Sequence, residues 1–149
     1  MKGKQAWVAL KLDMEKAYDR LEWPFVRQCL QQLGFHSKWI HWIMECITSV
    51  SYSILVNDKP TGLIRPTRGI RQSDPLSPYL FILCMEALST TLLKESSQPK
   101  TGIGIKISTG MERFPCLLFA DDCLLFCKAD SMSCNRLKFL IDAFCEHSG

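Results

Sequence analysis

One run of twelve residues constrains this chain more than any other: Cys116-Leu117-Leu118-Phe119-Ala120-Asp121-Asp122-Cys123-Leu124-Leu125-Phe126-Cys127. Two adjacent carboxylates interrupt two apolar stretches of five residues each. Short continuous apolar runs predict strands buried on both faces, and a hairpin with the acidic pair at its tip follows. Asp is at home in a tight turn because its short side chain accepts hydrogen bonds from nearby backbone, so a solvated turn is one reading. Neighbouring carboxylates also repel, and a cation commonly offsets that repulsion, so a metal site is the other. This stretch alone leaves both readings open.

The frame around it is that of an ordinary intracellular domain. A chain of 149 residues suits one domain, and such a length buries about 70% of its unfolded surface without a covalent staple. A hydrophobic content of 47% against 22% charged residues excludes extensive disorder. The net charge of +3 permits a polyanionic partner without arguing for one. Eight cysteines stand singly at positions 29, 46, 84, 116, 123, 127, 134 and 145, and no C-x-x-C pair supports a zinc ribbon or finger. No signal-peptide pattern opens the chain, so the thiols are expected to be reduced, buried as small hydrophobes, with no disulfide-linked partner. No apolar run approaches the roughly 20 residues of a membrane span. The expected setting is intracellular, nucleus or cytoplasm, not secreted.

Taken in order, a short basic start (Lys2, Lys4) leads to a strand over Ala6 to Leu12 that ends on Asp13. Pro24 then suits the first turn of a helix that runs from Phe25 to Leu33, with Gly34 as its stop. A second helix after Ser37 would carry Trp39, Ile40, Ile43, Met44 and Ile47 on one core-facing side. Ser51 to Val56 alternates as a strand, and Asn57-Asp58-Lys59-Pro60 reads as a turn into a strand from Thr61 to Arg65. The polar loop 66–78 empties into a long apolar helix from Tyr79 to Lys94, with Ser77 as cap and Pro78 in the first turn. After the connection Ser96 to Gly102 come a strand from Ile103 to Ile107, a turn at Ser108-Thr109-Gly110, the acidic hairpin, and a helix from Ser131 to Glu146. This mixed order predicts an α+β fold, helices packed on one face of an antiparallel sheet.

Asp13 adds a third carboxylate at the end of an independent strand. If that strand neighbours the acidic hairpin, three carboxylates converge, and such a cluster either retains protons or holds hard divalent ions. Oxygen-only donors select Mg²⁺ or Mn²⁺ over zinc, and a pair of ions about 4 Å apart clamps both oxygens in phosphoryl transfer.

The segments Leu12-Asp13-Met14-Glu15-Lys16-Ala17-Tyr18-Asp19, Arg68-Gly69-Ile70-Arg71-Gln72-Ser73-Asp74-Pro75-Leu76-Ser77-Pro78 and Phe119-Ala120-Asp121-Asp122 resemble, in order, the three palm motifs of reverse transcriptases. The wording is most similar to non-LTR (LINE-type) retrotransposons, in plant-like copies, and the resemblance runs from about Ala6 to the end. It implies a polymerase palm-like fold and RNA-directed DNA polymerase chemistry, with RNA template, DNA primer and deoxynucleoside triphosphate as partners and no membrane. It makes Asp13 and Asp121 the principal ligands of two Mg²⁺ (or Mn²⁺) ions, with Asp122 beside them. Tyr18 would lie under the sugar of the incoming nucleotide and exclude a ribose 2′-hydroxyl. Main-chain groups from Met14 to Tyr18 would approach the triphosphate, Gln72 would contact nucleotide and template, Arg68 and Arg71 would meet phosphates, and Asp19 is read as structural.

Two departures bear on activity. Family members usually carry Gly where this chain has Ser73, and a positive φ there would cost about 1 kcal/mol. Residues 1–149 are also expected to form a single partial domain, a palm core without fingers, thumb or endonuclease. The alternative expectation is therefore a catalytically inactive retrotransposon-derived fragment with at most weak metal or nucleic-acid binding.

Overall fold

A computed structural model describes residues 6–108 and 110–149. Lys2 and Lys4 lie outside the described residues, as does Thr109 of the turn expected at 108–110. The elements are β1 (Trp7–Asp13), α1 (Ala17–Arg20), α2 (Trp23–Gln32), α3 (Ser37–Thr48), β2 (Tyr52–Val56), β3 (Lys59–Ile64), α4 (Ser77–Ser96), β4 (Cys116–Phe119), β5 (Asp122–Lys128) and α5 (Ser131–Ser148).

A three-stranded antiparallel sheet of order β1-β5-β4 is the platform. In antiparallel pairs, directly opposed residues share a face. Val8, Leu10 and Leu12 of β1 therefore join Cys127, Leu125 and Cys123 of β5, and Cys116 and Leu118 of β4, on one side. Helices α4 and α5 pack on that side, α2 packs on both helices, and α3 packs on α2. The core they enclose includes Val26, Leu30, Leu80, Leu88, Leu92 and Leu125, all essentially without solvent contact.

Among the described residues no helix packs on the other face of the sheet, and this corrects the expectation of strands buried on both sides. β5 alternates buried and half-buried residues along its length, while Leu117 is 51% and Phe119 81% exposed. The apolar run signalled a sheet, but its helices cover one face only.

Smaller corrections have local causes. The turn between β2 and β3 is the two residues Asn57 and Asp58, both left-handed (φ 50° and 60°), so the second strand begins at Lys59. Ser77 is not the cap of α4 but a buried residue of its first turn. The N-cap position is Leu76, whose N–H donates to Asp74 Oδ1 at 2.8 Å in the turn ahead of the helix. Ile103 to Ile107 forms no strand; only Ile103 and Ile105 make isolated bridges, to Cys127 and Phe114. Left-handed glycines at 102 and 104 break the extended backbone there.

Five of the cysteines are buried, Cys134 is half-buried, and Cys46 and Cys145 are exposed, so the small-hydrophobe reading fits most of them but not all. Burial pushes the thiols of Cys123 and Cys127 up to about 11, which keeps them protonated at neutral pH.

Candidate active site

The register of β1 on β5 pairs Asp13 directly with Asp122. Both occupy the open face, because side chains alternate along β1 and β5 and the adjacent pair, Leu12 and Cys123, faces the helices. Asp121 completes the turn between β4 and β5, beside Ala120, which takes a left-handed φ of 51°. The neighbouring strands that the sequence required are thus present, and three carboxylates meet at one end of the sheet.

They do not close around a point. Among the described residues, no three His, Cys, Asp or Glu side chains gather closely enough to hold a metal ion. The donors nevertheless fit a hard divalent cation in kind, being carboxylate oxygens only, at a solvent-open edge. Their charge is partly offset by Lys11, whose Nζ stands 3.0 Å from Asp122 Oδ1. The Asp122 hydrogen bond, with smaller attractions to Asp13 and Asp121, raises the lysine pKa above its ordinary value. Sequence reasoning missed Lys11. The signal was present: one lysine in an otherwise apolar strand, two residues before Asp13 and hence on the same face.

The second segment, the loop ahead of α4, is bound to the residues that follow β1. The Ile70 N–H donates to the Tyr18 carbonyl and the Gly69 N–H to the Leu21 carbonyl, both at 2.8 Å. The Trp23 indole donates to the Gly69 carbonyl at 2.7 Å. Gly69 adopts φ +85° with its Cα against the Asp19 backbone, where a Cβ would come within 2.7 Å of the Asp19 carbonyl oxygen. Gln72 Nε2 donates to Asp19 Oδ1 at 3.3 Å, which agrees with a structural role for Asp19. Arg68 pairs with Glu22 at 3.4 Å. Trp23 is the second residue that sequence reasoning missed, and nothing in the local pattern separates it from a core aromatic.

The Tyr18 ring stacks on Phe81 of α4, centroids 5.0 Å apart and 15° from parallel, so it is half-buried at the seam between the two segments. Arg68 and Arg71 line a cleft of about 470 Å³ together with Asp19, Cys46, Tyr52 and Asp74. Asp13, Asp121 and Asp122 do not line it; Asp13 instead borders a separate, largely apolar recess of about 300 Å³ formed with Phe81, Met85 and Leu88. The structure thus joins the first and third segments through the sheet, and the first and second through the contacts of Tyr18 with Ile70 and of Asp19 with Gly69 and Gln72. It does not gather all seven predicted side chains into one cavity.

The family model described as reverse transcriptase (RNA-dependent DNA polymerase) matches residues 1–149. The chain belongs to that family. An uncharacterized mitochondrial protein of Arabidopsis thaliana is 50% identical over 68 residues, covering 46% of this chain and 55% of that one. A retrovirus-related Pol polyprotein from the type-1 retrotransposable element R2 of Popillia japonica is 32% identical over 125 residues, which is 84% of this chain and 19% of the polyprotein. The non-LTR kinship expected from the motifs is thereby borne out. This reverse transcriptase domain spans about half of the first relative and under a fifth of the second. Its fold is also similar to part of the structure of telomerase from Candida albicans, solved in complex with a TWJ fragment of telomeric RNA. The TM-score is 0.70 at 15% identity, over 96% of this chain and 25% of that one. The expected α+β, palm-like architecture holds. No described helix is long and apolar enough to cross a membrane.

Proposed function

We propose that this chain is the palm of an RNA-directed DNA polymerase, transferring a deoxynucleotide from its triphosphate to a primer 3′-hydroxyl along an RNA template. The observation that carries the reading is the pairing of Asp13 with Asp122, with Asp121 in the adjoining turn. Asp13 and Asp121 are the residues that would hold two Mg²⁺ or Mn²⁺ ions, with Asp122 beside them. Such ions supply charge stabilisation at the attacking and leaving oxygens of phosphoryl transfer.

The protein's own groups bind and orient. The Tyr18 ring, backed by Phe81, is a rigid edge against which an extra ribose oxygen would collide, so it selects deoxynucleotides. Gln72 and Arg71, both exposed on the loop that Trp23 holds, offer an amide and a guanidinium to nucleotide and template. Arg68 is available for phosphate once it leaves Glu22, a partner at 3.4 Å in solvent contact. In this reading residues 1–149 are a single partial domain, a palm core, that works inside the cell, in nucleus or cytoplasm.

Primer extension by the purified chain, on an RNA template with a DNA primer and Mg²⁺, tests the reading. Extension should fall by at least two orders of magnitude in Asp121→Asn and in Asp13→Asn. Unchanged extension in Asp121→Asn would overturn it.

One observation favours a second reading, a folded but inactive fragment. Ser73 sits at φ 66°, a strained conformation for any residue but glycine, beside Gln72. Efficient extension by the wild-type chain alone would refute that reading.

A further inference from the structure

Lys11 is the one cation that contacts the three carboxylates among the described ion pairs, through Asp122. Its backbone partner across the sheet is Leu124, so its side chain runs diagonally along the open face to reach Asp122. The lysine and aspartate side chains are 68% and 49% exposed, so the bond forms in contact with water and is readily exchanged. Asp13 and Asp121 attract the same ammonium more weakly. A single +1 charge thus does part of what a divalent ion would do, and it does so from the strand that carries Asp13. The contact also turns the Asp122 carboxylate toward Lys11.

We propose that Lys11 is a positioning residue, a tethered ammonium that holds Asp122 aside and neutralises the acidic edge until a divalent cation binds between Asp13 and Asp121. The inference rests on the ion site proposed above and sharpens it. Asp122 becomes the lysine's partner and not a primary ligand, and ion affinity is set by competition with a side chain. A lysine kept only for solubility of the open face would have no such effect. Lys128, at the far end of the same face opposite Trp7, is the natural comparison.

The test is Mn²⁺ binding to the full 149-residue chain, read from the electron paramagnetic resonance signal of free Mn²⁺ at low salt, without substrate or turnover. Lys11→Met should bind Mn²⁺ about three- to tenfold more tightly than wild type, with the gain shrinking as salt screens the charge. Lys128→Met should stay within about twofold, since it lies most of a strand away. Asp122→Asn should weaken binding more in the Lys11→Met background than in wild type, because there the carboxylate can coordinate without first giving up the ammonium. Equal or weaker binding by Lys11→Met overturns the proposal. Asp13→Asn separates its failure from that of the ion site. If Asp13→Asn loses Mn²⁺ while Lys11→Met is unchanged, the lysine's role alone falls. If Asp13→Asn binds as wild type does, the ion site falls and the lysine's role with it.

Discussion

Ser73 shows how much one side chain can weigh in a loop. Its φ of 66° is one that L-residues avoid because Cβ crowds the following carbonyl, and only glycine escapes the cost. Ser73→Gly is expected to raise the unfolding free energy by about 1 kcal/mol, slightly reduced by the looser unfolded chain. Urea unfolding measures it, and an unchanged midpoint would mean the serine makes a compensating interaction. Gly69 is the converse case. At φ +85°, a Cβ there would meet backbone, the Asp19 carbonyl at 2.7 Å, and no flexible side chain could yield. Gly69→Ala should therefore cost roughly 2 kcal/mol or more, by strain and collision together. The Ser73 conformation was legible from the family pattern, which has glycine there. The contact that Gly69 makes was not, since it joins segments 50 positions apart whose approach no local pattern encodes.

At the scale of elements, the strand ending on Asp13, the acidic hairpin, and helices α2, α4 and α5 were legible because each combines an apolar period with a stop or start signal. What failed was information that belongs to neighbours. The double-sided burial expected of β4 and β5 fails because only one face meets helices, and Ser77 is no cap because it lies buried within the first turn of α4, behind Leu76. Trp23 belongs to the same class. Its indole bond to the Gly69 carbonyl ties α2 to the loop that presents Arg71 and Gln72. Trp23→Phe keeps the ring and removes the donor, so it should cost about 1 kcal/mol. It should also speed amide exchange at Gly69 and Ile70; unchanged exchange would show that the backbone bonds hold the loop unaided. The start of α5 gives a pH dependence. Asp130 accepts from the Ser133 N–H at 2.8 Å and from its hydroxyl at 3.1 Å, and these bonds hold its carboxyl below the usual carboxylate value. A depressed folded pKa stabilises the fold above the unfolded pKa near 4, and that contribution is lost as pH falls through the lower folded value. The wild-type advantage in Tm over Asp130→Ala should thus be full at pH 6 and shrink below about pH 4, while Asp130→Asn, an amide that does not titrate there, should keep a pH-independent margin.

Across the whole molecule, stability is unevenly placed, and the division follows function. The sheet bearing the carboxylates rests on α4 and α5, whose buried side chains reach the main core, so the Asp13–Asp122 pair stands at the end of strands tied to that core. The β2–β3 hairpin differs in kind. Every one of its residues is exposed, Leu55 at 67% and Leu63 at 63%, and its strands pair chiefly with each other. A two-stranded hairpin without a core is marginal in water, so its opening is a local event whose free energy lies far below that of global unfolding. Leu88→Ala, which removes a 2% exposed side chain from the core, should cost about 3 kcal/mol. Leu55→Ala and Leu63→Ala should each stay within about 0.5 kcal/mol. Native-state amide exchange should separate the two layers directly. Amides of β2 and β3 should exchange at rates that denaturant barely alters, while those of β1 and β5 should exchange only through global unfolding and slow sharply with rising stability. Equal protection of Leu55 and Leu125 would show that the hairpin is part of the cooperative core after all.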